Sequence, residues 1–133
     1  MNREKTISSN IYIPVSLGEL VDKITILQIK QEIMTGEKLK NVQKELELLI
    51  SIMNEHDLEI ERNLFNDLKD VNSRLWDIED QIRLEERQNK FDETFIQLAR
   101  SVYIQNDKRA LIKREINTKY NSEFIEEKSY EDY

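Results

Sequence analysis

No cysteine occurs anywhere in the chain, so disulfides and thiolate metal sites are excluded, and the cysteine-free, charge-rich composition points to a reducing, cytoplasmic setting. One proline and two glycines leave little punctuation for the many tight turns of an all-β fold. Hydrophobic runs are short, far below the roughly 20 apolar residues a membrane span requires, and the opening MNREKTISSN has no apolar h-region, so neither a membrane span nor a secretion signal is expected. Positive charge is also in deficit. A formal net charge of −7 disfavours nucleic-acid binding, which depends on cations neutralising a phosphate backbone. There is no Gly-rich phosphate loop, and the single histidine, His56, falls in a predicted loop with no nucleophile pattern beside it.

What is present is helix-forming. Glu, Lys, Leu and Ile dominate, 35% of residues are charged, and 133 residues suit one domain with a real core. Residues 10–15, NIYIPV, read as extended up to Pro14. Ser16-Leu17-Gly18-Glu19 then forms a capping-box pattern, flanked by Val15 and Leu20 at hydrophobic-staple positions. The spacing predicts helices over 17–34, 37–54, 57–89 and 93–120. Thr35-Gly36 supplies the first stop and Asp92 the last N-cap. Asn54-Glu55-His56-Asp57 carries weak stop signals, and one continuous rod through the second and third helices is an alternative. The expected fold is a compact all-α bundle of about four helices with a long antiparallel hairpin, residues 1–9 flexible, and an acidic tail over 121–133.

At about 100° per residue the first helix is apolar on two sides. Leu17, Leu20, Val21, Ile24, Leu27 and Met34 share one face, and Ile26, Ile29 and Ile33 share another. Such a helix is expected at the centre of a bundle. Asp22 falls within the second face, where a carboxylate is normally paired because an unpaired buried charge costs several kcal/mol. The third helix carries a near-heptad stripe, Ile60, Leu64, Leu68, Val71, Leu75, Ile78 and Ile82, with Trp76 and Arg83 on a second face shared with Phe65.

The fourth helix breaks its own pattern. Phe95, Leu98, Ala99, Val102, Ile116 and Tyr120 mark an apolar stripe, yet Asn106, Arg109 and Lys113 occupy its centre and Tyr103 its edge. In an antiparallel hairpin Glu79 is level with Tyr103, and Asp22 is a candidate counter-ion for Arg109 or Lys113. Three readings follow. Asp22, Glu79, Tyr103, Asn106, Arg109 and Lys113 line a cationic pocket for an anionic ligand. Alternatively, Asp22, Glu79, Arg109 and Lys113 form a buried ion-pair network that sets helix register, the leading reading. In the third, this end of the helix reaches solvent. Residues 100–119 hold six Lys/Arg against two Asp/Glu, and 123–133 hold five acids against one Lys, so the tail either folds back on the basic helix or stays solvated. Glu19-x-x-Asp22 and Asp77-x-x-Asp80 have magnesium-holding spacing, but such pairs arise readily among 27 acids, and neither metal nor cofactor is expected.

Four blocks, PVSLGELVDKITILQIK (14–30), LWDIEDQIR (75–83), FIQLARSVYIQNDKRALIKREIN (95–117) and EEKSY (126–130), together resemble a family of small bacterial and phage proteins that form a domain of unknown function. Members sometimes lie beside or within glycosyltransferase and surface-polysaccharide functions, so the resemblance implies a role in that machinery and places EEKSY inside the domain. It carries no catalytic residue with it. The expected function is a non-enzymatic interaction or accessory module, a homodimer or partner of another protein. The alternative is a small-molecule binder or enzyme for an anionic substrate.

Overall fold

The computed structural model describes residues 10–133, so the expected flexibility of residues 1–9 lies outside the described residues. It contains α1 (Leu17–Ile33), α2 (Gly36–Glu55), α3 (Arg62–Arg87) and α4 (Glu93–Lys119), with no strand among the described residues. The fold is an all-α bundle, and α3 and α4 form its long antiparallel hairpin.

α1 is the helix that packs against all three others, while α2 meets the hairpin only through α1 and side chains such as Met53 and Phe65. The two-sided apolarity of α1 is the cause. Leu20, Ile24 and Leu27 face Val42 and Leu46 of α2, and Val21 turns the other way, onto Leu64 and Leu68 of α3 and Ile116 of α4. Each such buried aliphatic side chain contributes about 1.5–3 kcal/mol relative to exposure. The faces divide differently from the projection in two places: Val21 belongs to the hairpin side and Ile33 is exposed at the end of α1, whereas Ile29 is buried as its apolar face requires.

With so few glycines, helix ends fall to Asp and Asn. Asp57, Asn89 and Asn121 all have positive φ, the left-handed conformation tolerated best, after glycine, by these short polar residues. Each sits one residue past a helix C-cap and closes the same pair of bonds. After α2, the N–H groups of Leu58 and Asp57 donate to the carbonyls of Met53 (3.0 Å) and Asn54 (3.1 Å). After α3, Lys90 donates to Glu85 (2.9 Å) and Asn89 to Glu86 (3.1 Å), and after α4, Ser122 donates to Asn117 (2.8 Å) and Asn121 to Thr118 (3.4 Å). This turn at Asp57 breaks the alternative continuous rod, and α3 begins at Arg62 rather than 57. Gly36 does take positive φ, but at the head of α2; α1 stops at Met34 in extended conformation. Asp92 caps α4 as expected, accepting from the Thr94 N–H at 3.1 Å.

The N-terminus of α1 is capped largely by the far end of the chain. Ser16 Oγ accepts from Glu19 N–H (3.1 Å), Asn117 Oδ1 from Gly18 N–H (2.7 Å), and Ser122 Oγ from Leu17 N–H (3.0 Å). The free donors of a helix start are thus consumed across the α1–α4 contact. Only half of the expected capping box forms, because the Glu19 carboxylate binds Lys113. The contact requires Gly18: a Cβ there would stand 2.6 Å from the Lys113 carbonyl oxygen and 3.0 Å from Asn117 Oδ1.

Gly18→Ala is therefore expected to force α1 off α4 and lose about 2–3 kcal/mol in urea denaturation, the upper part of the usual cost of overpacking, because the atom met is backbone. Gly36→Ala, with open space around it but positive φ, is expected to lose about 1 kcal/mol from backbone strain alone. Equal losses at both positions would refute the close-approach account.

Candidate functional site

The buried polar residues Ser16, Asp22, Thr25, Asn72, Lys113 and Asn117 are contributed by α1, the residue that caps it, α3 and α4. Asp22 is their centre. At 1% exposure, its Oδ1 accepts from Asn72 Nδ2 at 2.8 Å and from Arg109 Nε at 3.0 Å, and its Oδ2 accepts from a second nitrogen of the same guanidinium. This two-pronged Arg–carboxylate contact is the geometry in which a guanidinium binds most strongly. Lys113 Nζ lies 3.7 Å from Asp22 Oδ2 and donates to Glu19 and Glu126, both at 2.7 Å. Asn72 Nδ2 also meets Thr25 Oγ1 (2.9 Å), whose hydroxyl donates to the Asp22 carbonyl (2.8 Å).

Burial alone would raise the Asp22 pKa. Hydrogen bonds from Arg109 and Asn72, with the fields of Arg109 and Lys113, outweigh it and hold the carboxyl below its ordinary 3.8. The Asp22 hydrogen bond, acting against burial, raises Arg109. Burial also opposes the Lys113 charge, but Glu126 and Glu19 more than compensate and raise that group above 10.5. The Lys113 hydrogen bond lowers Glu126 below 4.5.

Of the six residues singled out by sequence, the structure brings together Asp22, Arg109, Lys113 and, at the margin, Asn106, whose Oδ1 is 3.5 Å from Arg109. It does not bring Glu79 into this network. Glu79 pairs with Arg83 one turn along α3, because that i, i+4 partner is nearer than the Asp22 cluster. Tyr103 is exposed and meets Tyr133 edge-on at 5.0 Å between ring centroids. The network also contains Glu19, Thr25, Asn72 and Glu126, which the helical projection does not mark as site residues. Glu19 was absorbed by the capping pattern, and an amide at Asn72 beside the stripe residue Val71 gives no signal of what it faces. The tail did carry one, its charge complement to α4.

That tail runs back along α4. Glu126 reaches Lys113, Glu127 reaches Arg114 at 3.2 Å, and the Tyr133 hydroxyl donates to Asp107 at 2.6 Å, although residues 123–133 are all exposed. Two hollows flank Asn106. One, of about 530 Å³, lies between the tail and Val102, Tyr103 and Asp107. The other, a cleft of about 500 Å³, opens between α3 and α4: Ile26, Leu75 and Trp76 are its apolar and aromatic lining, and Asn72, Glu79, Asp80, Arg83 and Arg109 its polar lining. Among the described residues no group of three or more His, Cys, Asp or Glu is arranged to hold a metal ion, and Glu19 and Asp22 are committed to cations. No helix among them is long and apolar enough to cross a membrane.

Asp22 and Glu126 have lowered pKa values in the folded chain, so their contribution to stability is complete above 4.5 and fades as pH falls through the folded values. Lys113 is raised, so its contribution holds below 10.5 and fades as pH climbs through its folded value. Urea unfolding from pH 2 to 11 should show a plateau falling at both ends, and Asp22→Asn should flatten the acid limb; an unchanged acid limb would refute the assignment. Arg109→Met, which leaves Asp22 only Lys113 as a counter-charge, is expected to lose about 3 kcal/mol, and Asp22→Leu with Arg109→Met less than the two single losses combined.

No curated protein and no solved structure matches the chain. A family model does, across residues 11–133, from the extended segment before α1 to the last residue of the tail. The chain that builds this ion-pair centre therefore belongs to the family of unknown function DUF6165.

Proposed function

We propose that the protein is a cytoplasmic, non-enzymatic interaction or accessory module in which the interior charges hold the bundle together rather than receive a substrate. One observation carries this reading: both interior cations are already matched by carboxylates of their own chain, Arg109 by Asp22 and Lys113 by Glu19, Glu126 and Asp22. An anionic substrate would have to displace those carboxylates and leave them unpaired, at a cost of several kcal/mol. Service to polysaccharide or glycosyl-transfer machinery comes from the sequence resemblance alone. For self-association, the exposed apolar side chains Leu84, Phe91 and Ile96 near the hairpin tip offer a surface for a second copy.

On this reading, thermal-shift screening against phosphorylated sugars, nucleotides and carboxylic acids leaves the melting temperature unchanged. A saturable rise of several degrees that Arg109→Met abolishes would overturn it. Affinity purification from native cells is expected to return a glycosyl-transfer or polysaccharide-assembly protein in stoichiometric amount; elution of the chain alone would remove the partner assignment. Light scattering should show a dimer that Phe91→Glu dissociates.

A second reading, a small-molecule binder, is favoured by a different feature. The α3–α4 cleft is of ligand size and combines aromatic surface with several convergent polar groups, the usual make-up of a small-molecule site.

A further inference from the structure

We infer that the α3–α4 cleft takes an uncharged ring-shaped ligand, with one apolar face and a rim of hydrogen-bonding groups, rather than the anion its arginines suggest. This rests on the second reading above, that the cleft holds a small molecule.

The charges lining the cleft cancel in place. Arg83 is paired with Glu79 on its own helix, and Arg109 is held by Asp22 behind the cleft wall. Asp80 has no ion-pair partner among the described residues, so the surplus charge is negative and a phosphate or carboxylate gains no net attraction there.

The hydrogen-bonding capacity that remains is of mixed kind. Asn72 is 5% exposed and lines the cleft, and both its side-chain bonds run from Nδ2, to Asp22 and Thr25. An ionised carboxylate accepts only, so Asp22 settles which end of the amide it faces, and the carbonyl oxygen is left as an acceptor with no partner among the described residues. Asn106 accepts only a long 3.5 Å contact from Arg109, and its amide nitrogen has no partner among the described residues. The cleft therefore presents an amide acceptor, an amide donor and the Asp80 carboxylate around Trp76. Ligand hydroxyls, amides and ring nitrogens match such a mixture because they donate and accept at adjacent atoms. The aromatic surface of Trp76, with Leu75 and Ile26, matches the apolar face of a sugar ring or a nucleobase.

Trp76 is the only tryptophan, so its indole N–H gives a single cross-peak in a ¹H–¹⁵N correlation spectrum and reports on the cleft directly. The probes are N-acetylglucosamine and uridine, each paired with its phosphate, N-acetylglucosamine 1-phosphate and uridine monophosphate. The expected result is a saturable shift of the indole peak by one or both neutral probes, with the phosphorylated counterpart at least about tenfold weaker. Whichever neutral probe shifts it identifies the source as saccharide or nucleoside. Asn72→Ala also removes a bond to Asp22, so the deciding variants are Asn106→Ala and Asp80→Ala. Each is expected to keep a dispersed spectrum and to weaken binding about tenfold.

No shift with any of the four probes at about 10 mM overturns both this inference and the small-molecule reading for these ligand classes. Tighter binding of the phosphates overturns the inference alone, leaving the cleft as an anion site. Binding unchanged in both variants places the ligand elsewhere and overturns it as well.

Discussion

The structure depends on one buried carboxylate being matched on all sides. Asp22 sits on the helix that every other helix packs against, and its charge is answered by α3 through Asn72 and by α4 through Arg109 and Lys113. Hydrophobic contact alone would let α1 slide or rotate against the hairpin, since one Leu–Ile contact replaces another at little cost. A carboxylate bound by a two-pronged guanidinium and an amide has one satisfactory position. Desolvating two charges consumes most of their attraction, so the intact centre adds little net stability over apolar packing, whereas removing one partner leaves a buried charge unmatched and is costly.

The same contact joins the two ends of the chain. Gly18 lets the α1 backbone approach the Lys113 carbonyl, Asn117 and Ser122 then cap the start of α1, and Lys113 binds Glu19 and Glu126. A contact between residues about 100 positions apart is costly to close. It is stabilised here by hydrogen bonds to donors that any helix start must satisfy and by ion pairs at the same place. The tail's attachment beyond Glu126 is of another kind, made by one exposed ion pair and one tyrosine, each worth little in water.

Charge neutralisation at this centre also bears on function. Arg109 belongs to the interior network and to the cleft lining at once, so the group that looks most like an anion receptor is already occupied. What the cleft retains is polarity without net positive charge, and its aromatic wall belongs to the hairpin rather than to the tail.

Helix number, three of the four starts to within a residue and the central place of α1 could be read from the sequence, because 3.6-residue periodicity and cap chemistry are local. The inward turn of Arg109 and Lys113 was also legible, as polar residues standing where an apolar stripe should continue. Two kinds of information were not. The break at Asp57 depends on a left-handed residue that composition permits at many Asp and Asn positions, so only the closed turn shows which one uses it. The partners of the buried charges depend on which faces meet and at what height. That decided for Glu19, Asn72, Thr25 and Glu126 and against Glu79, whose nearest cation lay one turn along its own helix. The sequence by itself determined that charge interrupts an apolar stripe here. Tertiary structure decided what it met, since Coulombic and hydrogen-bonding partners are chosen by distance in space, which a one-dimensional pattern does not contain.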